Sequence, residues 1–277
     1  MPTQSKNLRF TLAGLLYFTQ GTILGYFAAL NALYLLANGL DMADVGVFSS
    51  IALIPFVIKI LFGILSDRYS LFGLGHRKPC IVIGLLVQFG CLIAVATINP
   101  GQQYWGFVGL AFLLQLGMAF YDTCTDGLAL DITPENEKGV LQGFMVGGRS
   151  VGVIVAASAA GMIAEHSWPM VFYFLAALTL LPLPLLPFVR EIQRAPGMRF
   201  NWKAFNAFKQ GRVLASAAVG VTNIGQGIGL GLSGVMAKNA GYSLTFLIFG
   251  AAMFLILPFF PAIFHKRTEG QPSTAAS

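Results

Sequence analysis

Charged side chains are scarce in this sequence. Lys and Arg number 17 and Asp and Glu number 11 among 277 residues, so that charged residues make up 10% of the chain. Soluble domains contain about 25% charged residues, and the scarcity excludes a soluble globular protein of ordinary composition. Because 56% of the residues are hydrophobic and the mean hydropathy is +0.73, the composition predicts an integral membrane protein.

Cysteines and catalytic motifs are also nearly absent. Cys80, Cys91 and Cys124 have no paired spacing and no His cluster beside them, so neither a disulfide framework nor a metal site is predicted. The sequence has no Walker-type phosphate loop and no Ser/His/Asp or Cys/His set at one membrane depth. We therefore expect no enzyme, no ATP-driven pump and no cofactor. The net charge of +6 is attributed to cytoplasmic loops rather than to nucleic-acid binding.

Long apolar runs dominate what remains. They do not alternate apolar and polar residues as β-barrel strands would. The predicted fold class is therefore all-α, a polytopic membrane bundle of about eight transmembrane helices. The predicted spans cover residues of about 11–38, 45–66, 79–98, 104–130, 139–164, 168–189, 213–237 and 242–264.

Basic residues define the predicted orientation. With a cytoplasmic N-terminus, the Lys and Arg residues outside the spans all lie inside except Lys238, while Asp41, Asp44 and Glu165 lie in outer loops. The positive-inside rule then predicts that both termini are cytoplasmic, in a bacterial inner membrane. The predicted units are a six-helix bundle at 1–189, a basic amphipathic linker at 190–212, a helix pair at 213–264 and a cytoplasmic tail at 265–277.

The fifth and sixth predicted spans resemble the last two. Gly152 aligns with Gly225 and Gly161 with Gly234, and both copies place a small-residue helix before an aromatic-rich one. Internal repeats are common in transporters, and these glycines are expected to let helices pack closely in lipid. The alternative is that any two Gly- and Ala-rich hairpins in a membrane resemble each other.

The loop between the second and third spans, within GILSDRYSLFGLGHRKP, combines glycine, acidic and basic residues in a fixed order. A glycine lies one helical turn before an aspartate and an arginine, and a second glycine precedes a basic pair. An ordinary basic loop would explain the basic pair but not the register of the first glycine and the aspartate. The residues concerned are Gly63, Asp67, Arg68, Gly75, Arg77 and Lys78.

This loop resembles the signature loop of the major facilitator superfamily, although YSLFGL makes it longer than the common form. The lengthened loop, and the stretch YDTCTDGLALDITPENEKG from Tyr121 to Gly139, are similar to those of the folate-biopterin transporter and muropeptide permease branches. The resemblance implies two six-helix bundles that give a small solute alternating access, usually with a proton or another ion, and it implies a gating role for the loop. The segment from Thr222 resembles the eleventh helix of a full-length member, so the second half is expected to be shorter by about four helices.

Four ionisable residues lie inside the predicted spans, namely Lys59, Asp122, Asp126 and Arg149. Such residues are rare in membranes and usually face protein or water. They form either a site where Asp122 or Asp126 exchanges a proton on a central path, or a permanent ion-pair network between helices. Among the other polar residues of the spans, Gln20 and Asn31 are the candidates for substrate contact.

Three functions remain open for a protein of this kind in the lipid bilayer. The first is a secondary transporter of a small solute, coupled to protons, in which a homodimer would rebuild a full path. The second is a non-transporting accessory or assembly factor of the same superfamily. The third is a shortened product of a transporter gene that is inactive alone.

Overall fold

The structure is a computed structural model that describes residues 5–59, 62, 77–189, 191, 211–241, 243–245 and 247–248. Within these ranges the chain is helical and contains no β-strand, which confirms the predicted fold class. The helices are α1 (Lys6–Ala37), α2 (Met42–Val57), α3 (Lys78–Val95), α4 (Tyr104–Ile132), α5 (Glu135–Ala164), α6 (Trp168–Thr179) and α7 (Gly211–Ala240).

Five helical segments of the described ranges are long and apolar enough to cross a bilayer. They are α1, α3, α4, α5 and the segment Trp168–Phe188 that begins with α6. Helix α2 is a shorter apolar helix, and the rest of the predicted span at 45–66 lies largely outside the described residues. The same holds for Gly63, Asp67, Arg68 and Gly75 of the predicted signature loop, for most of the predicted linker and eighth span, and for the tail.

Helix α2 begins at Met42 because Asp41 caps it. The Asp41 carboxylate accepts hydrogen bonds from the backbone N–H groups of Ala43 and Asp44, at 2.8 and 3.1 Å. The Asp44 carboxylate in turn accepts from the Asp41 N–H at 3.0 Å, which completes a capping box. These bonds satisfy backbone donors that a helix start leaves without partners.

The predicted sixth span changes helix type before its end. Helix α6 stops at Thr179, and a 3-10 helix follows at Leu183–Phe188. Pro182, Pro184 and Pro187 occupy this stretch. Because proline has no N–H and its ring collides with the preceding turn, an α-helix cannot continue through them. The last part of the predicted span is therefore a short 3-10 helix, which is wound more tightly than an α-helix.

Glycines line the closest helix crossings. A Cβ added at Gly152 of α5 would overlap the carbonyl oxygen of Phe18 in α1, and one at Gly21 would overlap that of Arg149. Likewise, a Cβ at Gly234 of α7 would overlap the Met42 carbonyl oxygen at the start of α2. Backbones approach this closely only where side chains are missing, which is how helices associate in lipid.

The two remaining glycines of the predicted repeat do not make such contacts. A Cβ at Gly161 would meet only Leu30, at 4.0 Å, and one at Gly225 would have no described atom within 4 Å. The closely packed glycine is the first of the two in α5 (Gly152) but the second of the two in α7 (Gly234). Glycines that align in the two hairpins therefore do not both lie at a close helix crossing.

Two π-helical turns interrupt the paired helices α1 and α5. They lie at Tyr26–Leu30 and Ala156–Ala160, and the two turns contact each other. Neither turn is predicted by the sequence pattern, because each adds a residue to the turn without a proline to mark it. Helix α1 packs mainly on α5, α2 on α7 and α4, and α3 on α4 and α6, so that α1, α2 and α4 surround the middle of the bundle.

Candidate functional site

A lysine and two aspartates meet inside the bundle. The Lys59 ammonium, just after α2, forms an ion pair with Asp122 and lies 3.6 Å from the Oδ2 atom of Asp126. The Tyr17 hydroxyl of α1 donates a hydrogen bond of 2.5 Å to Oδ1 of Asp126. We call Tyr17, Lys59, Asp122 and Asp126 the ionic cluster; it joins α1, α4 and the end of α2.

The ionic cluster lies within the depth of the membrane span. Asp122 and Asp126 are four residues apart on α4 and therefore share one face of the helix. Helix α4 ends at Ile132, and a rise of 1.5 Å per residue places the two aspartates about 15 and 9 Å from that end. Ionisable groups at such depth usually face protein or a water-filled path.

The two aspartates differ in exposure. The Asp122 side chain is 5% exposed, whereas that of Asp126 is 42% exposed and that of Lys59 is 25% exposed. Asp122 is thus enclosed with its lysine, while Asp126 opens to the space beside the cluster and is held by Tyr17. The two carboxylates of the ionic cluster therefore differ in how much of each side chain is enclosed by protein.

Arg149 lies beside the cluster rather than in it. Its side chain is exposed, and it forms no ion pair within 4 Å among the described residues. Three of the four predicted ionisable residues therefore meet in the structure, and Arg149 is a neighbouring cation. Tyr17 is a member that the sequence analysis missed, although a tyrosine in an apolar span needs a partner for its hydroxyl.

A cavity of about 390 Å³ lies between α1, α2, α4 and α7. Asn31, Gln115 and Gln226 line it together with Ser49 and Ser233, and the remaining lining is apolar. Gln115 precedes Asp122 by two turns of α4, which places the cavity about 10 Å from the ionic cluster, toward the end of the bundle where α4 begins. Of the two predicted substrate contacts, Asn31 lies in this cavity, whereas Gln20 is buried and does not line it.

A second charged group surrounds the start of α3. The Arg77 guanidinium packs against Gly127 of α4, where a Cβ would overlap it, and its Nε atom donates to Asp131 at 2.8 Å. The Glu191 carboxylate accepts from the backbone N–H groups of Arg77 and Lys78, at 2.8 and 3.4 Å. A carboxylate at this position satisfies helix donors and interacts favourably with the helix dipole.

The first turns of α1 reach the same end of the bundle. Arg9 is buried; it donates to the Ile132 carbonyl at 3.0 Å and forms an ion pair of 2.6 Å with Glu137. Lys6 lies 3.7 Å from the other oxygen of Glu137. Helix α1 is thus bonded to the last carbonyl of α4 and to the first turn of α5. These contacts lie at the same end of the bundle as Arg77 and Lys78.

The opposite end carries an ion pair between α2 and α7. The Lys238 ammonium lies 2.5 Å from the Asp41 carboxylate. Its hydrogen bond, together with those from the backbone, holds the pKa of Asp41 below its usual range. Within the described ranges, no three His, Cys, Asp or Glu side chains come together as a metal site would require.

Residues 10–201, which include most of α1, all of α2 to α6 and the four residues of the ionic cluster, match the profile of the Major Facilitator Superfamily. The chain belongs to the major facilitator superfamily. The resemblance found in the loop and at the end of the fourth span is thereby confirmed, and membership in this superfamily makes the chain a multi-pass integral membrane protein.

Two relatives illustrate the similarity. A folate-biopterin transporter of Synechocystis sp. is 29% identical over 186 residues, which cover 65% of this chain and 37% of the relative. The anhydromuropeptide permease of Escherichia coli K12 is 24% identical over 166 residues, which cover 59% of this chain and 34% of the permease. This superfamily member thus spans between about a third and two fifths of the length of these relatives. By name, these relatives are a transporter and a permease.

Proposed function

We propose that this chain acts in secondary transport of a small solute by alternating access, and that Asp126 exchanges the coupling proton. The observation that carries the proposal is the ionic cluster at membrane depth, in which one lysine faces a buried and an exposed aspartate. The names of the relatives make folate, biopterin and anhydromuropeptides the first solutes to examine. A bacterial inner membrane is the expected location, in line with the Escherichia coli permease.

Protonation of Asp126 has a low electrostatic cost in this arrangement. Lys59 keeps its ion pair with Asp122 when Asp126 becomes neutral, so no buried charge is left alone. The Tyr17 hydroxyl, which donates to Oδ1 of Asp126 at 2.5 Å, can also hydrogen-bond a neutral carboxyl group. Protonation of Asp122 would instead leave Lys59 with only the more distant partner. We therefore assign the proton to Asp126 and a permanent charge-balancing role to Asp122.

The test is uptake of the relatives' solutes into proteoliposomes with and without a pH gradient. Asp126→Asn should abolish acceleration by the gradient while solute exchange without a gradient continues. Asp122→Asn should abolish both, because it leaves the Lys59 charge without its main partner. Glu165→Gln provides the matched control, since Glu165 is exposed and far along the chain from the cluster.

Two results would contradict this assignment. If uptake by Asp126→Asn still follows the pH gradient, Asp126 does not exchange the coupling proton, and the ionic cluster is a permanent ion-pair network. Absence of uptake by the unmodified chain, combined with its copurification with a larger membrane complex, would favour the accessory role. Alternating access needs two bundles, and we propose that a second copy of the chain supplies the second one where the chain transports by itself.

A further inference from the structure

The cavity between α1, α2, α4 and α7 is separate from the ionic cluster and differs from it in chemistry. None of the described residues that line it carries an ionisable side chain. We propose that this cavity binds the uncharged, hydrogen-bonding part of a small solute and that Asn31 and Gln115 recognise it through their amide groups. The proposal names a substrate class for the transport function above and rests on that function for its biological meaning, although binding can be measured without transport.

Two unpartnered amides point to a ligand. Asn31 and Gln115 are each 2% exposed, and neither Oδ1 of Asn31 nor Oε1 of Gln115 has a hydrogen-bond partner. A buried acceptor without a partner destabilises the folded protein. Both residues line the same cavity, on α1 and α4. A solute in the cavity could satisfy them only by bringing one N–H or O–H donor to each acceptor, so these residues fit a ligand that carries donors.

Two serines add acceptors to the opposite wall. The Ser49 hydroxyl donates to the Val45 carbonyl at 2.8 Å, and the Ser233 hydroxyl donates to the Leu230 carbonyl at 3.0 Å. Because each hydrogen is used within its own helix, the oxygen lone pairs remain the free hydrogen-bonding capacity of these groups. The wall formed by α2 and α7 therefore also favours a ligand with donors.

The cavity also disfavours a carboxylate. A solute anion would bring its charge into a cavity whose described lining residues include no cation. Burial of an unpaired charge costs far more than burial of a neutral amide. Leu24, Phe27 and Leu53 supply apolar contact for a flat or hydrocarbon portion. The volume of about 390 Å³ lies at the lower end of the range for small-molecule sites, about 300–1,000 Å³.

The experiment compares two probes of the same shape, nicotinamide and nicotinate. Radiolabelled probes are bound to the purified full chain in nanodiscs and measured by scintillation proximity. Nicotinamide should bind at least about tenfold more tightly than nicotinate, because only the amide brings donors and no charge. Its affinity should not change between about pH 6 and about pH 8, since no described lining group titrates there.

Substitutions connect the binding to the two amides. Asn31→Leu and Gln115→Leu should each weaken nicotinamide binding about tenfold, since each removes one recognising amide. Gln88→Leu is the matched control: Gln88 is fully buried and its amide atoms also lack partners, but it lies on α3 and outside the cavity. Ser49→Leu, which fills the cavity from α2, should abolish binding in a protein whose amides are intact.

Three results would overturn the proposal. They are absence of nicotinamide binding by the unmodified chain, nicotinate binding as tight as that of nicotinamide, and an equal loss of affinity in Gln88→Leu and Asn31→Leu. The proposed transport function fails separately. Nicotinamide binding that persists in a chain whose uptake ignores the pH gradient would retain the cavity site and remove the proton assignment at Asp126.

Discussion

Arg77 shows how one missing side chain can place a charge. Its guanidinium lies where a Cβ of residue 127 would be, and it bonds to Asp131 one helical turn farther along α4. Gly127 leaves space for the guanidinium and Asp131 accepts its hydrogen bond, so these two residues of α4 position an arginine from the start of α3. In the sequence, Arg77 belongs to a basic pair that the superfamily resemblance assigns to a gating loop, and nothing there names Gly127 as its neighbour.

Gly127→Ala should displace Arg77 and destabilise the protein. The added methyl group overlaps the guanidinium, so Arg77 must move from its position beside Asp131. Because the overlapped atoms are the end of a flexible side chain, the cost should be below the roughly 3–5 kcal/mol of breaking a fully buried ion pair. The thermal unfolding temperature in detergent should fall accordingly. Gly109→Ala, on the same helix with no described atom within 4 Å of the new Cβ, should leave the temperature equal or slightly higher. A similar fall in both variants would remove Gly127 from this role.

At the scale of helices, the crossing of α1 and α5 depends on a run of small residues. Gly14 and Gly21 of α1 meet Gly148 and Gly152 of α5 with backbone against backbone. The crossing also brings the two π-helical turns together and fixes Tyr17 opposite α4. Because Tyr17 holds Asp126, the geometry of the ionic cluster depends on how closely these two helices approach.

Gly152→Ala should separate α1 from α5, whereas Gly161→Ala should not. The first Cβ overlaps the Phe18 carbonyl, which belongs to helix backbone and cannot rotate away; the second meets only the end of the Leu30 side chain, at 4.0 Å. Overpacking of this kind costs about 1–3 kcal/mol, so Gly152→Ala should unfold at a lower temperature and expose Cys124 to a maleimide. Cys124 is fully buried in the intact bundle. Equal stability of the two variants would contradict the close crossing.

At the scale of the whole molecule, the described basic residues at helix ends are divided unequally between the two ends of the bundle. Lys6, Arg9, Arg77 and Lys78 lie at the end where α1 begins, while Lys238 lies at the other end, paired with Asp41. This separation agrees with the sorting of charges in the sequence, from which the positive-inside rule predicts cytoplasmic termini. We therefore keep the cytoplasmic position of both termini as a prediction of the positive-inside rule.

Cysteine labelling on intact cells tests the orientation. Gln102→Cys, in the exposed loop before α4, should react with a membrane-impermeant maleimide, while Asn136→Cys, in the exposed first turn of α5, should react only after permeabilisation. The three native cysteines are buried and give little background. Reaction of Asn136→Cys on intact cells, with protection of Gln102→Cys, would reverse the predicted orientation.

By itself, the sequence determined that this protein is a bundle of membrane helices and to which superfamily it belongs. In a bilayer, every backbone polar group must be satisfied within a helix or a closed barrel, so the length of each apolar run is nearly sufficient to locate its helix. The capping box at Asp41 and the prolines after α6 explain the ends from neighbouring residues alone. The three ionisable residues that meet are also rare enough in apolar spans to be recognised as a group.

The tertiary structure decided which of these residues act together and how. Asp122 and Asp126 are equivalent in the sequence, and only the positions of Lys59 and Tyr17 make one enclosed and the other open. Likewise, Gln115 has no distinguishing pattern until α1 brings Asn31 to the same cavity. Burial and pairing depend on contacts between residues far apart in the chain, and the spacing of residues along one helix carries no information about the helix that packs against it.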